Sequence, residues 1–301
     1  SSKASVFCTR ARWASGTRMK DSVARRAQGC AQHGCLARAP TPKQAQSAEG
    51  LELCAHWPQT AGVIRRIAAK QQSITLVSRT QMTPSVHHLV FRTTDGSPFD
   101  YLAGQWVKLT LREGLSRDYS IASAPRDTGR FELLVTHVEG GEGSHLLCTM
   151  EVGASISMLG PNGLFVREER HAALPAIFVA TGTGLAPLRA MIQEAARSEA
   201  QAPMRLLFGC RSASEILCAE EFENLSQSSD FKHHVTLSRA DASWSGPQGY
   251  VQTHLGEISR GLEGAHFYIC GLRKMVDAAR ATLKEELGVD RTRIHSERYD
   301  G

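Results

Sequence analysis

The sequence predicts a two-domain α/β protein in which an antiparallel β-barrel precedes a doubly wound parallel sheet. Two textures carry this reading. From about Val63, six short β-rich runs separated by Gly, Pro and Asp turns crowd into about 90 residues, a density that suits an antiparallel barrel. After Pro175 the pattern changes to apolar strands alternating with helical stretches, which implies a parallel sheet with right-handed crossovers. A third observation sets the front apart: residues 1–48 hold nine Lys or Arg against the single acid Asp21, with little periodic apolar pattern. The expected divisions are therefore 1–62, 63–168 and 169–301.

The barrel runs are SITLVSRT, HHLVFRTT, QWVKLTL, DYSIAS, RFELLVTHV and SISMLG, and the buried strands are AIFVAT, MRLLFGC, HHVTLS and HFYICG. Helices are expected to begin near Ala186, Glu215, Val251 and Lys274. A length of 301 residues suits two domains of roughly 100–200 residues each. No apolar run approaches the roughly 20 residues that cross a bilayer, so no membrane span is expected.

The net charge of +5 invites a nucleic-acid reading. Beyond residue 48, however, 26 basic residues face 29 acidic ones, which argues against a basic footprint on the folded part. The eight Cys (8, 30, 35, 54, 148, 210, 218 and 270) are dispersed, as in a reducing compartment. The Arg- and Ser-rich front has no long apolar stretch and is no secretory signal; it reads as a targeting peptide, a disordered tail or a remnant of another domain. A cytoplasmic location is expected, or an organelle matrix if the front is a targeting peptide.

Three stretches carry chemistry. In SRDYSIASAP, strand alternation puts Arg117 and Tyr119 on one face and Asp118 and Ser120 on the other, a mixed arrangement that suits a ligand or an exposed edge. In VATGTGLAP, Gly182, Thr183 and Gly184 follow the first buried strand and open a helix, where free amides and the helix dipole favour an anion. The same turn serves a purely structural purpose elsewhere, and Pro187 stands where a third Gly of the dinucleotide fingerprint would fall. In EGGEGSHLL, Gly141 and Gly143 open a short helix with Ser144 expected at its N-cap; this is either a capped barrel corner or a second phosphate cradle. The twelve His fall on expected surface or strand positions, and their spacing offers no metal motif.

Taken together, SRDYSIASAP, GGEGSHLL, GPNGLF, VATGTGLAP, YICGLRKM and the terminal SERYD resemble, in this order and spacing, the ferredoxin-NADP reductase superfamily over about residues 63–301. The resemblance implies an FAD-binding barrel and an NAD(P)-binding α/β domain. It places Arg117 on the FAD pyrophosphate, Tyr119 against the isoalloxazine and Ser120 near flavin N5. It further implies that Gly141, Gly143 and Ser144 hold the pyrophosphate, and that Gly182, Thr183, Gly184 and Pro187 take the nicotinamide dinucleotide. Cys270 and Glu297 match residues beside the nicotinamide; without the resemblance, Cys270 reads as a buried strand Cys, and Glu297 and Tyr299 as solvated tail residues.

Ser238, Arg239 and Tyr250 resemble a pocket in which Ser and Arg take a 2′-phosphate and Tyr stacks on adenine, which favours NADPH over NADH. Gln248 departs from that pattern where a cation is usual, and Arg211 either compensates or caps a loop. Cys30, Cys35 and Cys54 faintly resemble ferredoxin ligands, but Arg38 occupies the third ligand position, so a two-iron two-sulfur cluster is not expected.

The implied activity is FAD-dependent hydride exchange with NAD(P)H and single-electron exchange with a ferredoxin, flavodoxin, oxygenase component or haem protein. The alternative is an electron-relay subunit with little activity toward free nicotinamide. A nucleic-acid binder rests only on the charge of the front segment.

Overall fold

A computed structural model describes residues 67–126, 128–200 and 202–299 of the chain. The first sheet contains β1 (Lys70–Gln81), β2 (Val86–Thr93), β3 (Trp106–Arg112), β4 (Leu115–Ser120), β5 (Arg130–Thr136) and β6 (Ser155–Asn162). Its order is β4-β3-β6-β1-β2-β5, with every neighbouring pair antiparallel. The sheet curls until the residue after β4 meets β5: Ile121 bridges Leu133, and the Ala122 amide donates to the Glu132 carbonyl at 2.7 Å. Inward-facing Ile74, Leu76, Leu89, Phe91, Val107, Leu109, Phe131 and Met158 fill the interior, as strand alternation requires. Helix α1 (Glu142–Thr149) lies between β5 and β6.

The second sheet contains β7 (Ala176–Thr181), β8 (Met204–Cys210), β9 (Phe231–Leu237), β10 (His266–Leu272) and β11 (Ile294–Tyr299), all parallel, in the order β11-β10-β7-β8-β9. Its strands read as continuous apolar runs because both faces are covered. Phe178 and Ala180 join one core cluster, while Ile177 and Val179 join another on the opposite face. The helices are α2 (Leu185–Arg197), α3 (Ala219–Ser228), α4 (Leu255–Ile258) and α5 (Arg273–Ala281). Strand order reverses between β7 and β10, so a crevice opens beyond their carboxyl ends, where doubly wound folds take ligands.

Four sequence expectations need correction. Helix α3 begins at Ala219, and Ala213–Glu215 forms only a 3-10 turn; Cys218 precedes the helix with φ of 55°, a left-handed break that delays its start. The stretch at Val251 is a 3-10 turn followed by the single-turn α4. Ser296–Tyr299 of the terminal stretch, polar enough to read as tail, instead end edge strand β11, in parallel register with β10. Ser144 is not the N-cap of α1: Gly141 holds that position, and the Ser144 hydroxyl donates to the Gly141 carbonyl at 2.9 Å and accepts from the Val138 amide at 3.0 Å. The Cys30, Cys35 and Cys54 readings lie outside the described residues.

Candidate active site

Strand β4 delivers its residues to two sides, as alternation requires. On one side, Arg117 lies against the first turn of α1: a Cβ added to Gly143 would come within 2.9 Å of the Arg117 Cγ. Glycine at 143 is thus what lets the guanidinium stem run beside the helix start. The Gly141 amide is engaged with the Val138 carbonyl at 2.9 Å, which leaves the first-turn amides of Glu142, Gly143 and Ser144 without intrahelical acceptors. Tyr119 shares this side, half-buried against the barrel core, and burial pushes its phenol up to about 12.

On the other side, Ser120 is buried and faces the parallel sheet. The Tyr299 hydroxyl donates to Ser120 Oγ at 2.8 Å, and Ser120 Oγ donates to Glu297 Oε2 at 3.4 Å. Residues 177 and 179 positions apart in sequence thus form one hydrogen-bonded chain across the junction of the two sheets. Burial pushes the Glu297 carboxyl up to about 7, with the Ser120 contact opposing the shift. Cys270 is fully buried and pairs in register with Glu297. Burial, and secondarily the nearby Glu297 charge, raise its thiol, so it remains protonated at neutral pH and is no thiolate nucleophile.

The glycine turn after β7 sits in the crevice between β7 and β10. Gly184 permits its closest approach: an added Cβ would lie 2.3 Å from the Cys270 carbonyl oxygen and 2.7 Å from the Gly271 Cα, contacts no side chain can make. Gly182 has φ of 54° and open space where a Cβ would be. The Thr183 hydroxyl meets that of Thr136 on β5 at 3.2 Å, which ties the turn to the barrel. Pro187 falls in the first turn of α2, where its missing amide hydrogen breaks no helical bond. Thr181 Oγ1 is buried at this end of β7 without a hydrogen-bond partner.

Farther along the same sheet edge, backbone bonds join the carboxyl ends of β8 and β9: Ser238 N to Cys210 O at 3.0 Å, and Arg239 N to Arg211 O at 2.8 Å. Arg211, Ser238 and Arg239 are exposed there, and among the described residues neither guanidinium forms an ion pair. Glu215 caps the Arg211 amide at 3.0 Å, so the loop is capped through the backbone while the Arg211 side chain stays at the surface. Tyr250 is 67% exposed, an aromatic face open to solvent.

One element of the junction escapes motif reading. Arg189 on α2, 9% exposed, donates to Glu132 Oε2 at 2.7 Å, to the Ala122 carbonyl at 2.7 Å and to Glu221 Oε2 at 2.7 Å. His88 adds a 3.0 Å contact to Glu132, and Gln193 joins Glu221 to the Ala124 amide. The barrel, α2 and α3 are therefore held together by one buried charged network. Its signal in the sequence was a lone Arg in LAPLRAMI and a lone Glu in RFELLV.

Two phosphate-sized demands, FAD on the barrel and a nicotinamide dinucleotide at the switch point, fit these residues. The unengaged α1 amides sit beside Arg117, open space lies above Gly182, and the Thr181 hydroxyl is buried without a partner against Gly271 at this end of the sheet. Among the described residues no helix is long and apolar enough to cross a membrane.

Comparison with known proteins agrees. Residues 73–166 match the oxidoreductase FAD-binding domain family, and residues 178–281 match the oxidoreductase NAD-binding domain family. A ferredoxin-NADP reductase B of Sorangium cellulosum is 45% identical over 244 residues, covering 78% of this chain and 100% of the relative. The anthranilate 1,2-dioxygenase electron transfer component of Acinetobacter baylyi is 26% identical, covering 79% of this chain and 68% of the relative. Among solved structures, an Amycolatopsis cytochrome P450 reductase shares the fold with a TM-score of 0.70 at 23% identity, covering 76% of this chain and 70% of that one. The flavohaem-like FAD/NAD-binding domain of a Vibrio cholerae nitric oxide dioxygenase gives a TM-score of 0.67 at 26% identity, covering 76% of this chain and 98% of that domain. With its FAD-type barrel, its NAD-type sheet and a reductase relative matched along that relative's full length, this chain belongs to the ferredoxin-NADP reductase superfamily and is an NAD(P)H-dependent flavin reductase of that type.

Proposed function

We propose that this chain moves reducing equivalents between NADPH and a one-electron protein partner, a ferredoxin or the ferredoxin-like component of an oxygenase. The observation that carries the reading is the Tyr299–Ser120–Glu297 chain, which joins the flavin-type barrel to the nicotinamide-type sheet at the carboxyl end of β10. Bound FAD supplies the conversion between a hydride, exchanged with nicotinamide C4, and single electrons. The protein's part is to bind, orient and exclude water. Arg117 and the α1 amides would hold the FAD diphosphate, with Gly141 and Gly143 shaping the turn; Tyr119 would flank the ring system, and Ser120 would offer its hydroxyl to it. Gly182, Thr183, Gly184 and Pro187 would receive the nicotinamide dinucleotide. Cys270, Glu297 and Tyr299 would bound the cavity where the two rings meet, with Cys270 acting by position because its thiol stays protonated. Domain divisions at 62/63 and 168/169 suit this reading.

The partner class rests on the names of the relatives, one a ferredoxin-NADP reductase and another a dioxygenase electron transfer component. Free cysteines at 148, 210, 218 and 270 suit a reducing compartment, the cytoplasm or an organelle matrix. The test is NADPH-driven cytochrome c reduction by the FAD-loaded chain with and without added ferredoxin. A rate that rises several-fold with ferredoxin supports the proposal; a rate indifferent to ferredoxin and to oxygenase ferredoxin components contradicts it.

Arg117→Ala is expected to weaken FAD binding more than ten-fold, because it removes a charge-assisted contact worth about 1.5 to 3 kcal/mol. Flavin retention on dialysis and fluorescence titration measure it; wild-type affinity would remove the assignment. Arg239→Ala is expected to weaken NADPH by about ten-fold while leaving NADH almost unchanged, since only NADPH carries the 2′-phosphate that a guanidinium pairs with. Equal losses with both nucleotides would place the phosphate elsewhere, with Arg211, Ser238 and Tyr250 as bystanders.

A further inference from the structure

The histidines at 171, 266 and 295 come from three separate elements and share one place, His171 and His266 buried and His295 half-buried. His171 ends a 3-10 turn in the segment joining the two sheets, His266 opens β10, and His295 lies in β11. One ring nitrogen of each lies within 4.8 Å of one from each of the others. His171 and His266 are each 8% exposed. This corrects the surface-or-strand expectation for His171, which is buried on a turn.

We propose that these three imidazoles form a binding site for one divalent transition-metal ion of the zinc class, at the end of the parallel sheet away from the nucleotide crevice.

The three rings lie within reach of one such ion. With metal–nitrogen bonds of about 2.1 Å and tetrahedral angles, the centroids of imidazoles on one ion lie about 5.2 Å apart. The observed separations are 5.3 Å for His266 with His295, 5.6 Å for His171 with His295 and 4.0 Å for His171 with His266. The 5.3 Å separation is set by the hydrogen bond in which His266 Nδ1 and His295 Nε2 meet end to end at 3.0 Å; an ion would displace that bond and turn both rings toward it, with the His171 ring swinging out by about 1 Å. A neutral imidazole offers one ring lone pair, the form in which histidine binds such an ion.

The surroundings supply a reason for a ligand. His266 Nδ1 and His295 Nε2 share one hydrogen bond at 3.0 Å, while His171 Nδ1 is buried with no partner at all. An unsatisfied buried nitrogen is costly, and an ion accepting lone pairs from the cluster would use what packing alone leaves idle. The backbone bearing His171 is fixed in advance, because Arg167 donates to the carbonyls of His171, Ala172 and Leu174 at 3.1, 3.0 and 2.9 Å. His295 stacks on Tyr268 at 4.8 Å between ring centroids, which limits its rotation. Among charged neighbours, Glu168 acts favourably on His171 and His295 while Arg167, Arg170 and Arg293 oppose a cation, and Glu168 is itself paired with Arg170 at 2.7 Å, so water would complete the coordination. The ion would have a structural role: it would pin edge strand β11, which carries Glu297 and Tyr299, to β10 and to the joining segment.

The test is Co2+ titration of the full FAD-loaded chain beside its His171→Gln and His295→Gln variants, read as a difference because the chain carries other Cys and His side chains able to take up Co2+. The expected result is one Co2+ with intense visible d–d absorption in the wild type, bound at least 100-fold more weakly by both variants. Zn2+ should raise the melting temperature of the wild type and leave that of the variants unchanged. Identical isotherms in all three proteins would overturn the proposal. Should the variants fail to retain FAD, X-ray absorption on the Zn2+-loaded wild type decides: three imidazoles with nitrogen and oxygen alone support the site, and a sulfur shell overturns it.

Discussion

Arg189→Met should destabilise the protein by about 3 to 5 kcal/mol, because it strips the partner from buried carboxylates while leaving them in place. Glu132 and Glu221 both accept from this guanidinium at 2.7 Å, and side-chain exposure is 11% for Arg189 against 19% and 33% for its partners. The loss should appear as a fall of roughly 1 to 2 M in the urea midpoint, with the barrel and the parallel sheet separating more readily. A midpoint within about 0.3 M of wild type would show that the network contributes little. The same contact carries a pH signature. His88 and Arg189 hold the Glu132 carboxyl down from its ordinary 4.5 to about 2 against the opposing effect of burial. A depressed carboxylate contributes stability that is complete above 4.5 and disappears as pH falls through about 2. Acid titration of stability should therefore lose a component in that window, and Arg189→Met should lack most of it.

Cys270→Ala and Glu297→Ala should each slow the reduction of bound flavin by roughly a hundred-fold while FAD content and dinucleotide affinity hold, since small misplacements at a hydride donor have effects of that size. The change should fall on kcat more than on KM. These residues sit opposite one another in register on β10 and β11, and Glu297 accepts from the Ser120 hydroxyl that the barrel contributes. Rates equal to wild type in both variants would return Cys270 to the role of a packed core residue and leave Glu297 as an edge-strand carboxyl.

The two sheets were legible because each obeys one dominant periodicity. Six runs with barrel spacing became β1 to β6, and four apolar runs became β7 to β10. Strand β11 was not legible by pattern: five of its six residues are half-buried and Arg298 is exposed, so an edge strand shielded unevenly on both sides carries no alternation. Ser144 misled for a local reason, since its hydroxyl closes a turn on Gly141 and Val138 instead of capping the helix. The glycine turns could be located, but Gly184 shows why position alone is incomplete: its requirement comes from the Cys270 carbonyl, supplied by a strand 86 residues later. The Arg189 network and the three-histidine cluster were invisible for the same cause. Their members lie far apart in the chain, and only the folded topology brings them together.

The most direct measurement is anaerobic stopped-flow reduction of the FAD-loaded chain by NADPH and by NADH, followed in the flavin absorbance. If the β7–β10 crevice delivers nicotinamide to a flavin seated beside Ser120, absorbance should bleach rapidly, saturate with nucleotide concentration and favour NADPH at low concentration. A flavin-replete protein that neither nucleotide bleaches would contradict the account.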